Sequence, residues 1–110
     1  MKTRTTILLS LLICLTAGIA GAAMEKGPYL LYPGNNDEMM VLWQVSSTET
    51  CTLEWGEDTS YSDGSVQTSE FGSDHQHERI ITGLTPGVKY YYRVYASGAW
   101  HTGSFTAAPA

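Results

Sequence analysis

The segment SDHQHE, from Ser73 to Glu78, concentrates more chemistry-bearing side chains than any other part of this 110-residue chain. If the segment is extended, His75 and His77 alternate onto one face, with Asp74 and Glu78 close by and His101 elsewhere in the chain. Two neutral imidazoles at that spacing could share a metal ion, and a third nitrogen or oxygen ligand would complete an open zinc site. The plainer alternative is a pair of solvated histidines beside an edge strand, because a two-histidine spacing is a weak motif by itself. Glu57, Asp58 and Asp63 form an acidic group without the alternating ligand order of an EF-hand, which reads as a solvated loop. Cys51 would be reactive only if exposed beside a positive charge, and its place on one strand face with Leu53 and Trp55 predicts burial instead. No G-x-S-x-G element and no phosphate-cradling glycine loop occurs. No residue is therefore assigned a catalytic or cofactor-binding role, and His75, His77 and His101 stand as weak metal candidates.

The chain begins MKTRTTILLSLLICLTAGIAGAAMEKG. Lys2 and Arg4 precede an apolar run from Ile7 to Ile19, and Ala20 and Ala22 follow at the spacing a signal peptidase requires. This predicts a signal peptide over residues 1–23, cut before Ala23 or Met24, and a secreted or periplasmic domain over residues 24–110. A retained membrane anchor is the alternative, and the small-residue exit speaks against it. A lipid anchor on Cys14 is disfavoured by the bulky Ile13 before it, so no stable membrane anchor is expected after cleavage. Cleavage would leave four basic against eleven acidic residues, a formal charge of −7 with histidine neutral. That excess of negative charge argues against nucleic acid and anionic membrane surfaces as partners. Cys51 would be the one remaining cysteine, so no internal disulfide could staple the domain and the core must stabilise it.

The elements that would position these residues are strands. Tyr29 to Tyr32 is a short apolar segment ended by the turn chemistry of Pro33 to Asp37. Next, Met39, Val41 and Trp43 share one face of a strand, while Met40, Leu42 and Gln44 make the other face less polar than a solvated one. In TCTLEWG, Cys51, Leu53 and Trp55 oppose Thr52 and Glu54, and Gly56 ends the run. The Ser-, Asp- and Gly-rich stretch that follows predicts turns with a short edge strand near Ser65 to Thr68. In HERIITGL, Ile80 and Ile81 face opposite ways, so both faces are expected to be partly covered. VKYYYRVYASG places Tyr90, Tyr92 and Val94 against Tyr91, Arg93 and Tyr95, and WHTGSFTAAP is a last strand with Trp100 or Phe105 turned inward. Six or seven strands in about 85 residues, without helices or repeats, predict an all-β antiparallel sandwich.

Within such a sandwich four residues have structural roles. Trp43 would supply the large central aromatic, and Leu84 would fill the core beneath the turn at Thr85-Pro86-Gly87, whose entry Pro86 fixes. Tyr90, four residues after Pro86, stands where a tyrosine corner sends its hydroxyl back to the backbone just upstream. Tyr91 and Tyr95 lie on the opposite face, either exposed or in contact with another body.

Taken together, KGPYLLYPGNNDEMMVLWQ, TLEWG, HERIITGLTPGVKYYYRV and GSFTAAP resemble the N-terminal fibronectin-III-like domain of purple acid phosphatases and related secreted bacterial metallophosphoesterases, over essentially all of the chain after the leader. The resemblance implies an immunoglobulin-like, fibronectin type III-like β-sandwich. It also implies a parent enzyme that hydrolyses phosphate esters at a dinuclear metal centre, iron with iron, zinc or manganese, where a metal-bound water or hydroxide attacks phosphorus. In that family the ligands come from a C-terminal metallophosphoesterase domain, in motifs of the type GDxG, GDxxY, GNHE and GHxH. None of these occurs here, so no catalytic residue is carried over. Two other readings remain open: a free-standing secreted binding or adhesion module using exposed aromatics against a glycan or protein, and a small metal-binding protein built on His75, His77 and His101.

Overall fold

Alternating apolar residues become seven strands in the computed structural model, which describes residues 23–110. The leader expected over residues 1–23 lies, apart from Ala23, outside the described residues. The strands are β1 (Met24–Leu31), β2 (Met39–Val45), β3 (Cys51–Gly56), β4 (Gly64–Thr68), β5 (Gln76–Ile81), β6 (Lys89–Ala96) and β7 (Ala99–Thr106). They form a three-stranded sheet in the order β1-β2-β5 and a four-stranded sheet in the order β4-β3-β6-β7, with every pairing antiparallel. The fold is an immunoglobulin-like β-sandwich, with no helix among the described residues.

One strand is longer than the sequence suggests. β1 starts at Met24 and not at Tyr29, because its pairing with β2 shifts register between Met24 and Lys26 and again between Lys26 and Tyr29. Gly27, at φ 87°, sits inside those shifts, and the irregularity hides the period-two pattern that would otherwise mark a strand.

The core lies between the sheets. Val41, Trp43 and Val45 of β2 and Ile81 of β5 face Cys51 and Leu53 of β3, Tyr90, Tyr92, Val94 and Ala96 of β6, and Phe105 of β7. Phe105, not Trp100, is the inward aromatic of the last strand. Two glycines admit rings at close quarters: a side chain at Gly64 would run into the Trp55 indole, and one at Gly103 into the Tyr92 phenol. Ile81 is buried while Ile80 opens to solvent, so only one face of β5 is covered.

Candidate functional site

The three histidines do not assemble. His75 precedes β5 in a left-handed conformation, φ 62°, so it does not continue the strand alternation that would bring it beside His77. Its Nδ1 lies 3.0 Å from the Glu70 carboxylate, close enough to pair, though outside hydrogen-bond geometry. His77 is fully buried: its ring stacks on Trp43 with centroids 5.4 Å apart, Nδ1 is 2.8 Å from Thr68 Oγ1, and Nε2 is 3.8 Å from Cys51 Sγ. His101, on β7, has Nε2 3.3 Å from the Ala96 carbonyl. Neither the shared metal nor the solvated pair describes His77, which is a core residue. Among the described residues no three His, Cys, Asp or Glu side chains come together as ligands. The parity of β5 carried the signal, since His77 falls on the same face as the buried Ile81.

Burial lowers the pKa of His77 and favours the neutral ring. Burial also pushes the Cys51 thiol up to about 11; the Trp43 indole N–H acts the other way without reaching hydrogen-bond geometry. The thiol is therefore an inert core group. Glu49 closes this polar pocket, with Oε1 3.6 Å from Cys51 Sγ and accepting the Ser97 N–H at 2.6 Å.

At the other end of β6, the Thr85 N–H donates to Tyr90 Oη at 2.8 Å, while Leu84 is buried beneath the turn and its N–H donates to the Asp37 carbonyl at 2.9 Å. Pro86 is exposed and precedes Gly87 at φ 79°, in a turn closed by Val88 N–H to the Thr85 carbonyl at 3.2 Å. Trp43 is fully buried between the sheets.

Among the described residues, the exposed large apolar side chains lie on the two outer faces and in the loops, with Phe71 of the β4–β5 loop the most exposed at 69%. On the four-stranded sheet, register sets Arg93 opposite Glu54 and Tyr95 opposite Trp100. The Arg93 guanidinium lies 3.9 Å from the Trp100 ring centroid and 4.5 Å from that of Tyr61, and its Nε and Nη2 reach Glu54 Oε1 at 2.8 and 2.7 Å. Tyr95 meets Trp100 edge-on at 5.0 Å, and both remain 42% exposed. Lys89 covers Tyr91 at 5.1 Å. Tyr61 and Glu54 carry no sequence signal for this cluster, because Tyr61 arrives from the β3–β4 loop.

On the three-stranded sheet, register forms a row Leu31–Met40–Ile80 beside a row Tyr29–Leu42–Glu78. Tyr29, Leu31 and Ile80 are 43%, 54% and 39% exposed, and Met40, Glu78, Arg79, Ile80 and Thr82 line a shallow open depression. The end of the described chain lies nearby. Ala107 donates its N–H to the Val88 carbonyl at 2.9 Å, and Pro109 offers its carbonyl to Asn36 Nδ2 at 2.5 Å. Asn36 in turn accepts the hydroxyl of the exposed Tyr32 at 2.7 Å, so the last residues cross from β7 to the β1–β2 loop at one end of this apolar face.

The sequence profile of the family described as "Purple acid Phosphatase, N-terminal domain" matches residues 26–107, which include six strands whole and most of β1. A solved structure titled "Crystal structure of Br derivative BhCBM56" is similar at 11% identity, over 76% of this chain and 97% of that chain, with a TM-score of 0.37. No curated protein sequence matches.

Proposed function

The chain belongs to the family of purple acid phosphatase N-terminal domains, and on that premise we propose that it is the non-catalytic β-sandwich of a secreted metallophosphoesterase whose C-terminal domain hydrolyses phosphate esters. The family match over nearly the whole sandwich carries this reading. The dinuclear centre implied for the parent does not fit the residues present. His77 is enclosed by Trp43, Thr68 and Cys51, His75 is turned to Glu70, and His101 lies on the other sheet. No step of hydrolysis is therefore assigned to this chain. Its contribution is to pack on the catalytic domain and shape the approach to the metal site without donating ligands. Secretion or export to the periplasm rests on the leader read over residues 1–23.

The full-length product of the native gene should hydrolyse a phosphate monoester and lose that activity on metal removal, whereas residues 24–110 alone should show no hydrolysis above buffer with zinc, iron or manganese added. Metal-dependent turnover by the short chain would contradict the proposal.

One observation favours a second reading, a free-standing binding or adhesion module. Tyr95 and Trp100 expose ring surface beside a fixed Arg93–Glu54 pair, as aromatic recognition of a glycan or protein requires. That reading needs a gene ending at Ala110 and a ligand whose binding is lost in Trp100→Ala.

A further inference from the structure

We infer that the outer face of the β1-β2-β5 sheet, centred on Leu31, Met40 and Ile80, is the surface on which the C-terminal catalytic domain docks. The inference rests on the reading of this chain as the N-terminal module of a longer enzyme. Half-buried strands of an antiparallel sheet ordinarily alternate apolar inside and polar outside. β2 departs from that rule, because Met40 and Leu42 face outward opposite Val41 and Trp43, and β1 and β5 add Tyr29, Leu31 and Ile80 to the same side. Five large apolar side chains on one open sheet face form a contiguous patch of the kind that marks an interaction site.

The path of the last residues selects the occupant. They leave β7, cross the end of the sandwich and are fixed by Asn36 in the loop joining β1 to β2, directly beyond Leu31 and Met40. Asn36 also holds Tyr32 on the rim of the patch. A domain joined through Ala110 therefore starts beside this face, and a short connection places it there at high effective concentration. The four-stranded sheet offers no such invitation, since Arg93 satisfies Glu54, Tyr61 and Trp100 within the chain. Glu78 and the exposed Arg79 both line the depression and Glu38 stands at the end of the patch, so the docking surface of the catalytic domain should be apolar with charges of both signs at its border.

The test uses the full-length gene product, with Leu31→Lys/Ile80→Lys compared with Tyr95→Lys/Trp100→Lys and with the native protein. Both pairs are exposed, so unchanged far-ultraviolet circular dichroism is the check on folding. The rate at which a protease cuts the segment following Ala110 reports whether the domains stay docked. Leu31→Lys/Ile80→Lys should raise that rate about tenfold or more, with retained hydrolysis of a small phosphate ester, and the opposite-face pair should leave it unchanged. A native rate in Leu31→Lys/Ile80→Lys would overturn the docking assignment, as would a greater effect of the opposite-face pair. So would a native dimer that these substitutions dissociate without altering the cutting rate, which would place a second copy on the face. In each of these results a metal-dependent phosphatase activity still stands, so the functional reading survives. A gene product without a catalytic domain would remove both.

Discussion

On the four-stranded sheet the outer side chains complete one another: Arg93 sits between Tyr61 and Trp100, Glu54 neutralises it, and Tyr95 caps the indole edge. On the three-stranded sheet Tyr29, Leu31 and Ile80 stand in adjacent rows with no described residue covering them. Both faces are rich in large side chains and leave rings or aliphatic groups similarly exposed, yet only on the first are the exposed rings tied to a cation and a carboxylate of the chain itself. An exposed aromatic is therefore a poor sign of an interface when a cation and a carboxylate already hold it, and an outward methionine–isoleucine row is a better one.

The largest effect should come from the element both faces share. Trp43→Ala removes the fully buried ring between the sheets and should cost about 3 to 5 kcal/mol, measured by urea denaturation, a loss that a small domain without a disulfide would hardly survive. If the variant unfolds only one sheet, the two faces do not depend on a common core.

Acid acts on the same core through His77. Its folded pKa lies below the ordinary 6.5 because of burial, so the unfolded chain binds more protons between those two values. Stability is therefore complete above about pH 6.5 and falls as pH drops towards the folded pKa, by up to about 1.4 kcal/mol per pH unit. Denaturation midpoints from pH 7.5 to 5 should show this slope, and it should diminish in His77→Asn whatever that variant's absolute stability.

Arg93→Ala should cost about 1 to 2 kcal/mol, the sum expected for two partly exposed cation–π contacts and one ion pair. The loss should disturb only the four-stranded face, so Trp100 fluorescence should change while proteolysis around β1 does not. Tyr90→Phe should cost about 1 kcal/mol through the corner hydrogen bond, with Tyr92→Phe, whose hydroxyl makes no such turn contact, as its control. The smallest effect sharpens the comparison most. Leu31→Ser/Ile80→Ser in residues 24–110 should change stability by less than about 0.5 kcal/mol, because the open face contributes little to the sandwich alone.

Much of this fold was legible in single strands. The alternation in Cys51–Trp55 and Tyr90–Val94 assigned their inner faces, that in Met39–Val45 placed a strand but left its inner face open because Met40 and Leu42 are apolar too, and the family motifs supplied the architecture. β1 escaped in part because its register shifts break the period on which a strand is recognised. The burial of His77 escaped because its polar neighbours suggest a metal ligand or a solvated histidine beside an edge strand, although its parity with Ile81 points inward. The Arg93 stack could not be read at all, since Tyr61 and Trp100 reach it from a loop and a neighbouring strand, and no local pattern records that meeting. The open face was half visible in the outward Met40 and Leu42; its completion by Tyr29 and Leu31 needed the pairing of β1 with β2.

The central claim, that this sandwich is the non-catalytic module of a larger phosphoesterase, is tested most directly by reading the native gene past the codon for Ala110. The account predicts an open frame that continues into GDxG, GDxxY, GNHE and GHxH motifs. A stop codon directly after Ala110 would contradict it and leave the exposed Tyr95–Trp100 surface of a free-standing binding module as the reading to pursue.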